Sequence, residues 1–378
     1  MKKKFKCIIF FLMLFLIMSI MMSNKIVFAA QTSGLNNNKV YHIINKASGK
    51  CINVNYGTDA NGTNVNQYTK DGSIEQYFKL VYNSSRDSYK LYAMCSSYGA
   101  NRVIDIYRPI QAGANIDIWT PDDNDAQDLI ITNRGNGYYS LHPRYNTNLA
   151  ITSYGTGNGG GSGTSSTSTG NVFVTTYSGS DNQLWAMKTG AMCHYHIETG
   201  MDRTPTHTWT KHYTERMGYS YYSRLNNSSS TNFLNDLRNN EIYVWQGHGN
   251  SGVLGYTRED ILISSNTIAS LPSNSLNNLK IAVIYSCKGG STPSGGTSIV
   301  DAISGRGALC TVGWDTTIYM NDAIEWNRLF WEKIETENES IVEGFRHADY
   351  WIPYECGTEA YNIMSGHRVE RGNIYQYL

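Results

Sequence analysis

Two residues capable of covalent chemistry stand where apolar runs end. Cys287 follows the run Ile281–Tyr285 and Ser286, and precedes Lys288, Gly289 and Gly290. His248 follows residues 241–246 (Glu-Ile-Tyr-Val-Trp-Gln), sits between Gly247 and Gly249, and lies 39 residues before Cys287. A thiolate is a nucleophile, and an imidazole exchanges protons near neutral pH, so the pair predicts acyl transfer. Continuous apolar runs of this length predict strands buried on both faces, and the glycines let the chain turn sharply as it leaves the sheet. Ligands bind at the carboxyl ends of strands in open α/β sheets, because the chain splays there and leaves a crevice. If the two strands are parallel neighbours, sulfur and imidazole face each other across one rim.

The elements around them alternate. Residues 195–197 predict a first strand, Trp209 to Met217 a helix, and Ser230 to Leu237 a second helix capped by Ser229 or Ser230. Asn321 to Ile334 carries Ala323, Trp326, Phe330 and Ile334 at helical spacing, so Trp326 and Trp331 are expected to pack. Residues 341–348 continue the pattern, and 366–378 predict a closing strand or hairpin. This alternation marks an α/β layer fold. Cys193, His194 and His196 lack a second ligand cluster, and no metal is expected there.

A strand ending in His-Gly, then one ending in Cys-x-Gly (Cys287-Lys288-Gly289), resembles the caspase-like cysteine peptidases: caspases, legumain, gingipain, clostripain and the CHAT group. Tyr285-Ser286 departs from the strict caspase signature and is nearer to the CHAT group. The later runs Ser298 to Ala302 and Arg306 to Asp315 resemble that group too. The resemblance spans roughly residues 193 to 350 and implies an α/β caspase-like three-layer domain with a mostly parallel sheet. It also implies Cys287 as nucleophile, His248 as acid and base, and the amides of Gly249 and Cys287 as oxyanion donors. Trp314 and Asp315, with Ser286 where many relatives carry Asp, would line the substrate pocket, and Asp315 would favour Arg or Lys before the cut.

The first half is a threefold repeat. Its units end in Gln76-x-Phe78, Gln127-x-Leu129 and Gln183-x-Trp185, with glutamines 51 and 56 residues apart. Short alternating runs between Gly, Asn and Asp predict strands and tight turns. These repeats resemble the ricin B-type lectins, all-β β-trefoils of three lobes, which implies Phe78, Leu129 and Trp185 in the core. The resemblance places carbohydrate-binding groups at Asp105, Asp117 and Trp119 in repeat two, and at Asn53, Asn66 and Tyr68 in repeat one. Repeat two has Ala126, and repeat one Glu75, where the family has Asn; repeat three keeps Tyr177 and Asn182 but has Ile151 at the polar position. No lobe is complete, and a trefoil kept as spacer or docking module is the competing expectation. The tract from Gly155 to Gly170 precedes the third Gln-x-Trp and is read as a long loop inside lobe three.

Lys2, Lys3, Lys4 and Lys6, an apolar block to Met22 and small residues at Ala29-Ala30 have the parts of a secretory signal peptide over residues 1–30. The block falls short of the roughly 17 to 25 residues of a membrane span. The chain has 31 basic and 31 acidic residues; the leader takes five Lys and no acid, leaving 26 against 31, a net charge of −5. A mildly acidic chain has no field to hold nucleic acid phosphates. Six cysteines remain, and their pairing is not readable from sequence.

The sequence thus predicts a multidomain chain: a signal peptide (1–30), a β-trefoil lectin domain (38–190) and a cysteine peptidase domain (191–378). The expected function is a secreted, extracellular endopeptidase with a Cys-His dyad. Its partners would be a protein or peptide substrate and glycans, with no nucleic acid and no membrane after signal cleavage. No cofactor is expected; calcium is left open. The alternative is a secreted carbohydrate-binding protein whose caspase-like domain is inactive. A trefoil-bearing glycosidase would need paired carboxylates, and Asp301, Asp315 and Glu325 show no such arrangement.

Overall fold

The computed structural model describes residues 34–378 apart from 98, 123, 160–168, 199–200, 227–228 and 258–259. The expected leader lies outside the described residues. No helix among the described residues is long and apolar enough to cross a membrane. The chain divides into two compact units, one built chiefly from Ile43–Thr69 and Glu75–Met187, the other from Lys188–Leu378.

The first unit spends four strands on each repeat. Strands Val40–Asn45, Tyr77–Asn83, Ser88–Ala93, Leu129–Asn133, Tyr138–Pro143 and Trp185–Lys188 pair in a closed ring, the last returning to the first. Closing the ring leaves no open edge. Hairpins Cys51–Val54 with Thr63–Tyr68, Val103–Ile106 with Ile116–Trp119, and Leu149–Ser153 with Val172–Thr176 supply one cap per lobe. The strands of the third hairpin stand before and after the Gly/Ser/Thr tract in the chain, and residues 160–168 of that tract lie outside the described residues.

Each repeat closes on its glutamine. Gln76, Gln127 and Gln183 are buried at the ends of 3-10 turns. Their Nε2 atoms donate to the carbonyls of Thr69, Thr120 and Thr176, each at 2.9 Å. Phe78, Leu129 and Trp185, two residues on, are fully buried. A second threefold element joins the lobes. Asn115 Nδ2 donates to Asn64 Oδ1 (2.8 Å), Asn64 Nδ2 to Asn171 Oδ1 (3.0 Å), and Asn171 Nδ2 to Asn115 Oδ1 (2.8 Å). These asparagines repeat at 51 and 56 residues, the spacing of the glutamines. A cyclic triad lets each buried amide both donate and accept, which is what burial of such a group demands.

The second unit is a six-stranded mixed sheet between two helical layers. In chain order its strands are β1 (Gly190–Tyr195), β2 (Ser220–Leu225), β3 (Asn240–Gln246), β4 (Ile281–Tyr285), β5 (Cys310–Trp314) and β6 (Arg368–Gly372). They lie in the order β2-β1-β3-β4-β5-β6, the first five parallel and β6 antiparallel to β5. The first strand therefore begins earlier than residue 195, at Gly190, and its apolar stretch Ala191 to Cys193 is fully buried. The helices are α1 (Thr204–Arg216), α2 (Ser230–Asn239), α3 (Ser265–Ala269), α4 (Ile299–Ser304), α5 (Met320–Glu337), α6 (Ile341–Glu355) and α7 (Thr358–Met364).

Alternate strand residues feed the two layers. Ile242, Val244, Ile281, Val283, Tyr285 and Val312 pack with α1, α5, α6 and α7; Tyr243, Trp245, Ala282 and Ile284 pack with α2, α3 and α4. Both faces are covered, so the strands read as unbroken apolar runs. On α5, Ala323, Trp326, Phe330 and Ile334 form the buried stripe, joined by Trp331, and the helix ends where Asn338 turns left-handed at φ 52°. On α2 the Ser229 hydroxyl accepts from the Asn232 amide at 3.1 Å, and Phe233 and Leu237 face the sheet.

Replacing Asn115 by Ala removes two buried hydrogen bonds, one to the Oδ1 of Asn64 and one from the Nδ2 of Asn171. At about 0.5–1.5 kcal/mol for each bond, the first unit should lose several degrees of Tm. Calorimetry of the full chain checks this: one transition should move, and an unmoved pair of transitions would show the amide ring to be dispensable.

Candidate functional site

Parallel register places the two rims together. On β3 and β4, Ile242 stands beside Ile281 and Gln246 beside Tyr285. The Gly247 amide donates to the Tyr285 carbonyl at 3.2 Å. Both strands end at the same level, and His248 and Cys287 each follow two residues later. A β-carbon on Gly249 would meet the Ser286 Oγ at 2.7 Å and the Cys287 carbonyl at 3.2 Å. Only glycine allows the His248 segment, a short antiparallel strand (His248–Asn250), to lie this close.

Cys287 is free and partly exposed. Its Sγ lies 3.8 Å from the Ile318 carbonyl; among the described residues no hydrogen bond joins it to the His248 ring. Lys288 turns left-handed at φ 56°. The glycines after it serve close packing rather than a turn of that kind: a β-carbon on Gly290 would meet Val369 at 2.9 Å. The amides flanking Cys287 are taken, Ser286 by Ile284 and Lys288 by Thr316, while the Cys287 amide has no carbonyl partner among the described residues. A free amide at this point can receive a developing oxyanion.

The imidazole has a partner that the sequence did not reveal. His248 Nε2 lies 2.6 Å from Glu198 Oε1, and the other carboxylate oxygen is 3.5 Å from His196 Nε2. Arg203 Nη2 lies 3.7 Å from Glu198 Oε1, and its Nη1 donates to the His196 carbonyl at 3.4 Å. Burial alone would raise the Glu198 carboxyl; its bond to His248 and the charges of His248, Arg203 and His196 together hold it below the usual carboxylate value. Burial pushes the His196 imidazole down, and Arg203 adds to this. Burial also lowers the Arg203 guanidinium, against the opposing pull of Glu198 and Cys287. Glu198 arrives because β1 runs beside β3: the His196 amide donates to the Gln246 carbonyl at 3.2 Å, and the chain then folds into the short strand Ile197–Glu198.

Three expected pocket residues divide. Trp314 is fully buried: its ring stacks on Tyr285 at 5.1 Å, meets Trp326 edge-on at 5.5 Å, and its Nε1 donates to the Met364 carbonyl at 2.8 Å. It is a core residue and not a pocket wall, because its position on β5 points into the α5–α7 layer. Ser286 is also turned inward, 1% exposed and wedged against Gly249 and Gly289, so it lines no pocket. Asp315 alone stays accessible, its Oδ1 2.9 Å from His367 Nδ1. The segment it opens passes Cys287 through the Thr316 and Ile318 carbonyls.

In the first unit the expected sugar groups fall on one repeated cross-strand position. Asn53 pairs with Asn66 in lobe one, Asp105 with Asp117 in lobe two, and Ile151 with Val174 in lobe three. Asn53 and Asn66 are buried and bonded to each other, Nδ2 to Oδ1 at 3.0 Å. This corrects their expected role: the two amides are used internally and present nothing to a sugar, although Tyr68 is 38% exposed. In lobe three Tyr177 meets His142 edge-on at 4.9 Å under the Arg134 guanidinium. Lobe two keeps an exposed ring, Trp119, beside two acids. Burial and the charge of Asp105 push the Asp117 carboxyl up to about 8, against a smaller opposing effect of the Tyr107 hydroxyl.

Two outcomes follow. The other cysteines are disfavoured as nucleophiles: Cys51, Cys193 and Cys310 are buried. Burial pushes Cys95 and Cys310 up to about 12, Cys356 up to about 11, and Cys193 upward as well. Limited iodoacetamide treatment of the native chain should therefore mark Cys287 first by peptide mass mapping; earlier marking of Cys95 or Cys356 would contradict the geometry. Asp117 holds its proton in the folded state up to about pH 8, whereas an unfolded Asp releases it near pH 3.9. The native state binds the extra proton in that window, so this site's contribution to stability falls as pH rises through it. The Tm advantage of Asp117→Asn over the parent should grow from pH 4.5 to pH 7.5; a constant difference would show the carboxyl to be unperturbed.

Comparison with known proteins bears on the first unit. Residues 27–119 match the family described as ricin-type beta-trefoil lectin domain-like. The designed threefold symmetric protein ThreeFoil is similar at 28% identity, over 39% of this chain and 96% of its own, with a TM-score of 0.33. The Rhizoctonia solani agglutinin is similar at 18% identity, over 40% and 96%, with a TM-score of 0.34. An exo-beta-1,3-galactanase from Clostridium thermocellum is similar at 25% identity, over 40% of this chain but 30% of its own, with a TM-score of 0.35. The chain thus spans under a third of that enzyme's length. No curated protein matches the chain. Ring closure, three capped lobes and the family match together make the N-terminal region a ricin B-type β-trefoil, lectin-like domain.

Proposed function

We infer that the C-terminal domain is a caspase-like cysteine endopeptidase with Cys287 as nucleophile and His248 as proton carrier. The in-register ends of β3 and β4 carry this reading, since the partly exposed Cys287 and the oriented His248 each lie two residues beyond paired strand ends. The three-layer architecture and mostly parallel sheet support it. The trefoil is read as the carbohydrate-binding part, which would hold the enzyme on glycan-bearing surfaces outside the cell after loss of the leader.

The chemistry follows from the atoms present. The Cys287 thiolate attacks the scissile carbonyl carbon, forming a C–S bond, and the amides of Cys287 and Gly249 take the oxyanion. The C–N bond breaks as His248 gives its proton to the departing amine. His248 then takes a proton from water, whose oxygen displaces the thiol from the thioester. Glu198 occupies Nε2, so proton transfer falls to Nδ1, and the carboxylate fixes the orientation of the ring. Asp315 is the acid available to an Arg or Lys side chain before the cut, and that substrate would have to displace His367.

A fluorogenic panel with Arg, Lys, Asn and Asp before the cut tests this on the full chain. Cys287→Ala should abolish cleavage and leave Tm unchanged, and Glu198→Ala should cost roughly tenfold or more in kcat, the scale of a misplaced acid or base. Cleavage that survives Cys287→Ala ends the peptidase reading. An inert parent chain favours the carbohydrate-binding protein with an inactive second domain, and cleavage confined to Asp removes the basic specificity.

A further inference from the structure

The trefoil carries a groove that none of the expected sugar residues lines. It measures about 320 Å³ and is formed by Arg108, Pro109, Ile110, Gln111, Asp125 and Tyr145. That volume lies at the small end of the roughly 300–1,000 Å³ typical of ligand sites, enough for one ring rather than an extended chain. Its charge is unbalanced. Asp125 is already claimed by Arg86 and by Arg144 at 3.4 Å, and Asp128 by Arg86 and by Lys90 at 3.9 Å. Arg108 makes no direct ion pair among the described residues and interacts with Asp105 only at longer range, so its guanidinium has room for a direct anionic partner. Tyr145 is 68% exposed, an aromatic face open to solvent at the same wall.

We propose that this groove binds an acidic saccharide, a sugar ring bearing a carboxylate, independently of the peptidase reading. Arg108 would receive the carboxylate in the forked geometry a guanidinium offers. Tyr145 would stack on the apolar face of the ring, and Gln111 would supply both a donor and an acceptor to hydroxyls. The site differs from the Trp119 site of the same lobe, since neither Trp119 nor the facing acids Asp105 and Asp117 line the groove.

Titration calorimetry of the full chain with methyl glucuronide and with methyl glucoside tests this. The glucuronide should bind about tenfold or more tightly than the glucoside, the scale of one charge-assisted contact, and salt should narrow the gap. Arg108→Gln, an exposed change expected to leave Tm intact, should remove the preference; Tyr145→Ala should weaken both ligands; Trp119→Ala should change neither. Absence of glucuronide binding, equal binding of the two glycosides, indifference to Arg108→Gln, or loss with Trp119→Ala would each overturn the proposal.

Discussion

The chemistry proposed for the C-terminal domain depends on the parallel pairing of β3 with β4. Parallel strands hydrogen-bond in fixed step, so aligning Ile242 with Ile281 also sets where both chains leave the sheet. A slip of one residue would invert every side chain on one strand and expose apolar groups to the wrong layer. The core therefore enforces the placement of His248 and Cys287, although neither residue contributes to it. Gly249 completes the constraint, since any side chain there would push the His248 segment off Ser286.

The histidine is set by a second, weaker layer of contacts. Glu198 is shared among His248, His196 and Arg203, one carboxylate against three basic groups. Such sharing keeps the acid ionised and ties the short Ile197–Glu198 strand to the rim. It also makes this corner of the site polar and partly exposed, in contrast to the buried interior under β4. Loss of Glu198 would leave the buried Arg203 and His196 with less compensation.

The trefoil shows how one backbone accommodates three chemistries. The same cross-strand position holds Asn53 and Asn66 bonded to each other in lobe one, Asp105 facing a proton-retaining Asp117 in lobe two, and the apolar Ile151 and Val174 in lobe three. The backbone at these points repeats because the glutamine clamps and the asparagine ring repeat. Freed from holding the lobe, the intervening side chains diverge, and lobe two retains both acids and the exposed Trp119.

Much of this was legible in the chain. Repeat spacing marks the lobes, and the glutamines mark the turns they clamp; the asparagine ring carries the same 51 and 56 residue signal, hidden among the many Asn residues of the turns. Apolar runs located β3 and β4 and hence the rim. The fold class of the second unit followed from alternation of strand and helix patterns. What sequence could not supply was orientation. A strand apolar on both faces has no alternation, so nothing in Cys310–Trp314 indicates whether Trp314 faces a helix layer or a crevice; only the packing of α5 against β5 put it inside. Asn53 and Asn66 look like sugar ligands until strand pairing makes them partners of each other. Glu198 reaches His248 across 50 residues of chain, a distance over which local pattern carries no information and tertiary contact alone decides.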